Sequence, residues 1–140
     1  TDAKTSLSCK GRPDIVPNKE TYTLIDLKTT NDVSEKAFLN SCIKYGYARG
    51  AALYIDGFGA ATGAYVDTFI LIAVETKPPF RTETYLLDEG LIAWGRLDYE
   101  RLLNLEVKCR KENFYPHWQV PEEGAPLLKT LYKPSWLEGR

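Results

Sequence analysis

A chain of 140 residues has room for one compact domain, and its 44% hydrophobic and 26% charged residues exclude a disordered or collagen-like polymer. The balance of 18 Lys and Arg against 19 Asp and Glu excludes a broad basic surface for non-specific nucleic-acid binding, while leaving room for a local basic site. With Thr1 as its first residue and no methionine, the chain reads as a trimmed piece.

Thr5 to Lys10 alternate as a short strand does, and Gly11-Arg12-Pro13-Asp14 interrupts them before Ile15-Val16-Pro17. A hairpin arm entering a kinked strand is expected, because Pro13 and Pro17 both lack the ladder donor. Asn18-Lys19-Glu20 then makes the turn into Tyr22 to Lys28, a run of β-formers with Tyr22, Leu24, Asp26 and Lys28 on one face. Both faces are largely apolar, which predicts a central strand. Asn31 or Asp32 is expected to cap a helix carrying Val33, Ala37, Phe38, Cys42 and Ile43 on its apolar stripe, with Glu35 in its first turn. A second helix, rich in small residues, is expected from about Tyr47 to Thr62, ending at Gly63. Thr68 to Glu75 and Thr82 to Leu87 read as two further strands joined through Pro78-Pro79, and a long helix follows Asp88 up to the basic end Lys108, Arg110 and Lys111.

From Phe114 on, Pro116, Pro121, Pro126 and Pro134 predict an irregular tail packed through Tyr115, Trp118, Tyr132 and Trp136. The order of strands, two helices, strands and helix implies an α/β fold, a mixed sheet covered by helices, as one domain over residues 1–140 with its core in about 5–112. Cys9, Cys42 and Cys109 are spaced too widely for a metal knuckle and are odd in number, which suits free thiols in a reducing cytosol. The apolar stretch around Thr68 to Val74 is far shorter than the roughly 20 residues of a membrane helix.

The chemistry-bearing pattern is Asp14 followed, after the expected hairpin, by Asp26-Leu27-Lys28. Folding the Asp14 turn beside the strand brings two carboxylates to one end of the sheet, and like charges that close favour protonation of one or a divalent cation between them. Mg²⁺ suits such a pair, since it takes one or two carboxylates, a backbone carbonyl such as that of Leu27, and waters. A metal and the Lys28 ammonium together suit phosphodiester hydrolysis, because both offset charge developing on the phosphate. The plainer reading of the same residues is a strand charge pair and a turn capped by an aspartate.

Gly11-Arg12-Pro13-Asp14 followed by Leu24-Ile25-Asp26-Leu27-Lys28-Thr29-Thr30 resembles the signature of the PD-(D/E)xK nuclease superfamily, and is most similar to the phage-type RecE, or exonuclease VIII, group. The likeness continues through Tyr45-Gly46-Tyr47, Tyr54-Ile55-Asp56-Gly57-Phe58, Phe69 to Val74 and Leu131 to Trp136. The resemblance implies a restriction-endonuclease-like fold in which Asp14, Asp26 and the Leu27 carbonyl bind catalytic Mg²⁺, with Mn²⁺ as a substitute. It further implies that Lys28 positions or activates the water and that Tyr54 lies near the scissile phosphate. Arg49 and Lys44 are candidate phosphate contacts, against the commoner role of solvated helix-face cations.

The implied activity is a 5′-to-3′ exonuclease on linear double-stranded DNA ends. A ring-like oligomer, a single-strand annealing partner and a phage or prophage setting in the bacterial cytoplasm come with it. Two departures stand out. Gly50 occupies the position, one turn before Tyr54, where the family has glutamine, and the family's N-terminal helical region, which carries an acidic ligand and often a histidine, has no counterpart before Asp14. Weak or absent catalysis by these 140 residues alone is therefore expected. His117 is expected to pack or face solvent. The competing function is a catalytically inactive nuclease fold that binds DNA or a protein. A Cas4-like cluster enzyme is disfavoured by three dispersed cysteines.

Overall fold

The computed structural model describes residues 1–16 and 23–115. Three strands, β1 (Thr23–Thr30), β2 (Thr68–Glu75) and β3 (Thr82–Leu86), and three helices, α1 (Glu35–Tyr45), α2 (Tyr47–Thr62) and α3 (Glu89–Glu112), follow in the order β1-α1-α2-β2-β3-α3. The sheet is mixed: β1 pairs parallel with β2, Leu24 opposite Phe69 and Asp26 opposite Leu71. β3 returns antiparallel, Leu71 opposite Tyr85.

Strand alternation sorts the faces. Leu24 and Asp26 in β1 and Phe69, Leu71, Ala73 and Glu75 in β2 are buried, and the in-phase register puts them on one face of the sheet. Ala48, Ala51, Ala52 and Ile55 are the buried residues of α2 and join that core. Small side chains there let neighbouring backbones approach. A Cβ added at Gly95 of α3 would lie 2.2 Å from the Ala48 carbonyl oxygen, so the two helices touch through backbone at this point.

The α1–α2 corner is a single residue. Gly46 adopts φ 67° and ψ 36°, and its N–H reaches the Cys42 and Ile43 carbonyls. That left-handed conformation is one L side chains rarely take, and a Cβ there would meet the Arg49 guanidinium at 2.5 Å. Gly46→Ala is therefore expected to cost about 1–2 kcal/mol from the backbone alone, read as a lower urea midpoint at unchanged slope.

Several expectations are corrected. Residues 5–10 form no strand. Asp2 turns the chain by accepting hydrogen bonds from the Thr5 N–H and hydroxyl, and Ser6 takes φ 58°; such local side-chain bonds compete with a ladder. The hairpin contracts, among the described residues, to one antiparallel bridge between Ile15 and Ile25. β1 lies at the edge of the described sheet and β2 at its centre. Helix α1 starts three residues beyond Asp32, with Ser34 at its N-cap, because Asp32 spends its carboxylate on the Ser34 N–H at 2.8 Å. Helix α2, its stop at Gly63 and the bounds of β2 match expectation, and β3 stops one residue short, at Leu86. The turn at 18–20, Tyr22, His117 and the packing of Trp118, Tyr132 and Trp136 fall outside the described residues.

Two compact units divide at Lys108 and Cys109. The described part of the second holds the end of α3 and a turn in which the Phe114 N–H meets the Cys109 carbonyl. All three cysteines are free thiols. No helix among the described residues is long and apolar enough to cross a membrane.

Candidate active site

The outer edge of β1 gathers the predicted residues. Ile25 exchanges both backbone hydrogen bonds with Ile15 at 3.0 Å, so the backbone groups of Ile25 point away from β2. Two residues on, Leu27 repeats that orientation. Its N–H donates to Asp14 Oδ2 at 2.9 Å, and its carbonyl faces the same edge. Asp26, between them, turns its side chain to the covered face and is 5% exposed. There its carboxyl hydrogen-bonds with that of Asp14 and accepts a bond from Lys28 Nζ.

The two carboxyls are driven apart in acidity. Burial pushes Asp26 up; the Lys28 bond and charge oppose it, and the Asp14 carboxylate adds to the rise. Asp14 is lowered, chiefly by the Leu27 N–H, with help from its bond to Asp26. The opposite shifts make Asp26 the weaker acid of the pair and Asp14 the stronger.

A divalent ion fits this donor set. Two converging carboxyls and an outward carbonyl leave further positions for water or phosphate, as Mg²⁺ prefers. Among the described residues no group of three or more acidic, histidine or cysteine side chains that could hold a metal ion forms, and the acidic side chains brought together here are Asp14 and Asp26.

Lys28 has a second partner that sequence reading missed. Its Nζ lies 5.2 Å from the centroid of the Tyr47 ring, a cation–π contact that holds the ammonium beside the pair. The clue in the sequence was the tyrosine at the first position of the second helix; its meaning needed the crossover of α2 over β1. Glu75 was missed as well. It is buried at the end of β2, where Arg81 wraps its carboxylate at 2.6 Å and the Val33 N–H meets it at 3.4 Å, so it anchors the β2–β3 connection.

Tyr54 falls apart from the carboxyls. Its ring faces Phe69 at 6.4 Å and lies over Gly11, where a Cβ would meet it at 3.0 Å. It lines a cavity of about 580 Å³ between the N-terminal segment and α2. Arg49 is committed to Asp98 of α3 at 2.8 Å, so as placed it ties two helices together. Lys44 is exposed, with its Nζ 5.2 Å from the Tyr45 ring.

Tyr47 against Lys28 and Tyr54 against Phe69, which pairs with Leu24, set α2 running antiparallel to β1. Gly50 lies about one turn from each of those two tyrosines along α2. Nothing lies within 4 Å of a Cβ built at Gly50. Gly50→Gln is expected to fit and to stabilise the helix by about 0.5–1 kcal/mol, raising the urea midpoint.

A second polar cluster joins α2 to α3. Asp56 accepts two hydrogen bonds from Arg96, at 2.7 and 2.8 Å, and one from the Tyr99 hydroxyl. Burial would raise the Asp56 pKa, yet these bonds outweigh it and hold the group below its ordinary 3.8. A depressed folded pKa contributes stability that is present above the ordinary value and lost as pH falls through the depressed one. Urea midpoints from pH 6 down to pH 3 are expected to fall more steeply in the native chain than in Asp56→Asn.

A mixed sheet with helices on it and two acidic residues converging beside a lysine on its edge strand defines a restriction-endonuclease-like domain. The chain belongs to the family described as the PDDEXK-like domain of unknown function (DUF3799), whose model matches residues 1–119. It is similar in fold to the crystal structure of a protein titled "putative exonuclease" from Eubacterium rectale, with a TM-score of 0.56 and 12% identity over 79% of this chain. It spans 45% of that structure. No curated protein matches the sequence.

Proposed function

We propose that this chain is a metal-dependent nuclease that hydrolyses phosphodiester bonds in DNA, acting as an exonuclease on linear duplex ends. The observation that carries the reading is the convergence of Asp14, held by the Leu27 N–H, and Asp26, held by Lys28, at one place on β1. Membership of a PDDEXK-like family and a fold shared with a protein titled an exonuclease support it.

Asp14, Asp26 and the Leu27 carbonyl would hold Mg²⁺ or Mn²⁺, which when bound supplies Lewis-acid stabilisation of the phosphate. Lys28, exchanging its bond to Asp26, would direct an Nζ–H to the attacking water or to a phosphate oxygen. Tyr47 keeps the ammonium in place during that exchange. Held in position beforehand, the charge needs no reorganisation as the phosphate gains negative charge. Tyr54 and Lys44 contribute to DNA binding along α2 and the α1–α2 corner, and Arg49 does so where its bond to Asp98 is exchanged for phosphate. The 5′-to-3′ direction, assembly as a ring, an annealing partner and a phage-derived setting in the bacterial cytoplasm complete the proposal, on the RecE-like motif order.

The second reading is an inactive fold retained for binding. Gly50 and the limit of two acidic ligands among the described residues favour it. Incubation with linear and circular duplex DNA in Mg²⁺ or Mn²⁺ decides between them. Slow metal-dependent loss of linear DNA at most is expected from these 140 residues alone, and any such loss is expected to vanish in Asp26→Ala and in Lys28→Ala; digestion that survives both changes belongs to a contaminant or another site, and sinks the assignment.

A further inference from the structure

Beyond the carboxyl pair, the carboxyl end of β1 opens into a cavity of about 390 Å³ lined by Thr29, Thr30, Ser41, Tyr45, Tyr47 and Thr76, among others. That volume is within the roughly 300–1,000 Å³ of small-ligand sites, and hydroxyls dominate its polar lining. Among its lining residues the Tyr45 and Tyr47 rings stack, centroids 5.8 Å apart and 27° between planes. The left-handed turn at Gly46 is what sets these two tyrosines side by side, one ending α1 and the other beginning α2. Each ring carries an ammonium at 5.2 Å, Lys28 on Tyr47 and Lys44 on Tyr45. Tyr47 is partly buried, whereas Tyr45 is 57% exposed. An acid, Asp32, also lines the cavity, but its carboxylate accepts the Ser34 N–H and lies 3.9 Å from Arg81.

We propose that this cavity is a subsite for the unpaired terminal nucleotide of a DNA end, in which Lys44 exchanges its contact with the Tyr45 ring for a phosphate and leaves that ring as the platform on which the base stacks. The subsite rests on the nuclease reading, since Lys28 and Tyr47 connect it to the carboxyl pair. An aromatic face flanked by a cation accepts any base, because every base has a π-face. Bases inside a duplex already cover both faces with their neighbours, so the platform selects a nucleotide that has left the stack. The hydroxyls of Thr29, Thr30 and Ser41 suit a sugar or phosphate oxygen and add no base selection.

The test is fluorescence anisotropy with labelled duplexes, in Ca²⁺ to hold back turnover, comparing a blunt end, a short single-stranded tail and the same tail with an abasic terminal nucleotide. The native chain is expected to bind the tailed duplex about tenfold more tightly than the blunt one, within the range for stacking of a single base. The abasic terminus erases the advantage, Tyr45→Ala erases it too, and Tyr45→Phe retains it. Lys44→Ala is expected to weaken all three duplexes alike and to reduce the salt slope by about one. The exposure of Tyr45 makes the alanine variant a safe one for folding, which circular dichroism verifies. Equal affinity of Tyr45→Ala and the native chain for the tailed duplex overturns the subsite and leaves the nuclease reading standing. Failure of the native chain to bind any of these duplexes overturns both.

Discussion

On the proposed metal site, Mg²⁺ is expected to raise the melting temperature of the native chain, and Asp26→Asn is expected to abolish that rise and to slow the proposed metal-dependent DNA cleavage by about a thousandfold. The size follows from the several kcal/mol of charge stabilisation that a bound metal supplies, at roughly 1.4 kcal/mol per decade of rate. Melting gives a second readout that does not depend on turnover. A ligand present at a hundred times its dissociation constant stabilises the folded state by about 2.7 kcal/mol, and the asparagine variant lacks one of the two proposed acidic ligands. The sign reverses without metal. Burial holds the Asp26 pKa above its ordinary 3.8, so the contribution of this group to stability is complete below that value and is lost as pH rises through the raised one.

At neutral pH, then, metal-free Asp26→Asn is expected to melt at or above the native temperature, because asparagine imitates the protonated carboxyl at no ionisation cost. A bound Mg²⁺ requires the ionised carboxylate, so its stabilising effect on the native chain should grow as pH rises through the Asp26 titration. A metal-free variant that melts well below the native chain would instead make Asp26 a structural anchor for Lys28. A Mg²⁺ response that survives the substitution would move the ion elsewhere.

Gly95→Ala is expected to destabilise the fold by about 3 kcal/mol, the upper end of what overpacking commonly costs, and to lower the melting temperature by roughly 10 °C. Alanine is the better helix former, so propensity alone predicts a gain of nearly 1 kcal/mol. Packing wins because the added Cβ would lie 2.2 Å from the Ala48 carbonyl oxygen, 2.4 Å from its carbon and 2.8 Å from the Arg49 nitrogen. Those are backbone atoms, which cannot rotate aside; the helices must separate. Separation would strain the Arg49–Asp98 and Arg96–Asp56 ion pairs that span the same seam. Unchanged or higher stability would mean that α3 does not cross α2 in this way.

Gly50→Gln makes the informative contrast, since it too replaces a glycine inside a helix. There the Cβ meets nothing within 4 Å, and the same propensity argument holds unopposed. Nothing in the sequence separates Gly50 from Gly95; both lie in runs of helical periodicity beside small or aromatic residues. Only the crossing point of two helices remote in the chain distinguishes an open glycine from an obligatory one.

The strands and helices that local chemistry controls were legible from the residues. The bounds of α2 and its end at Gly63 followed from small residues and a glycine that takes positive φ, and β2 followed from a run of β-branched and aromatic residues. The N-terminal segment was misjudged because its alternation was real but unsupported. A strand needs a partner, and the carboxylate of Asp2 offered the backbone a local one first. Position within the described sheet differs from expectation: β1 pairs with β2 on one side and, on the other, meets only the single bridge from Ile15.

By itself the sequence determined the chemical endowment of the site: two aspartates, a carbonyl between Asp26 and Lys28, and a lysine in phase with Asp26 on the same strand. Strand periodicity is local, so the shared face of Asp26 and Lys28 needs no tertiary information. What only the tertiary structure decided is which of these groups meet. The bond from the Leu27 N–H to Asp14 brings a residue from before the strand to its edge, Tyr47 arrives over Lys28 by a helical crossover, and Arg49 is drawn off to Asp98 by a helix nearly fifty residues away. Contacts between distant segments depend on how whole elements pack, which no local propensity encodes.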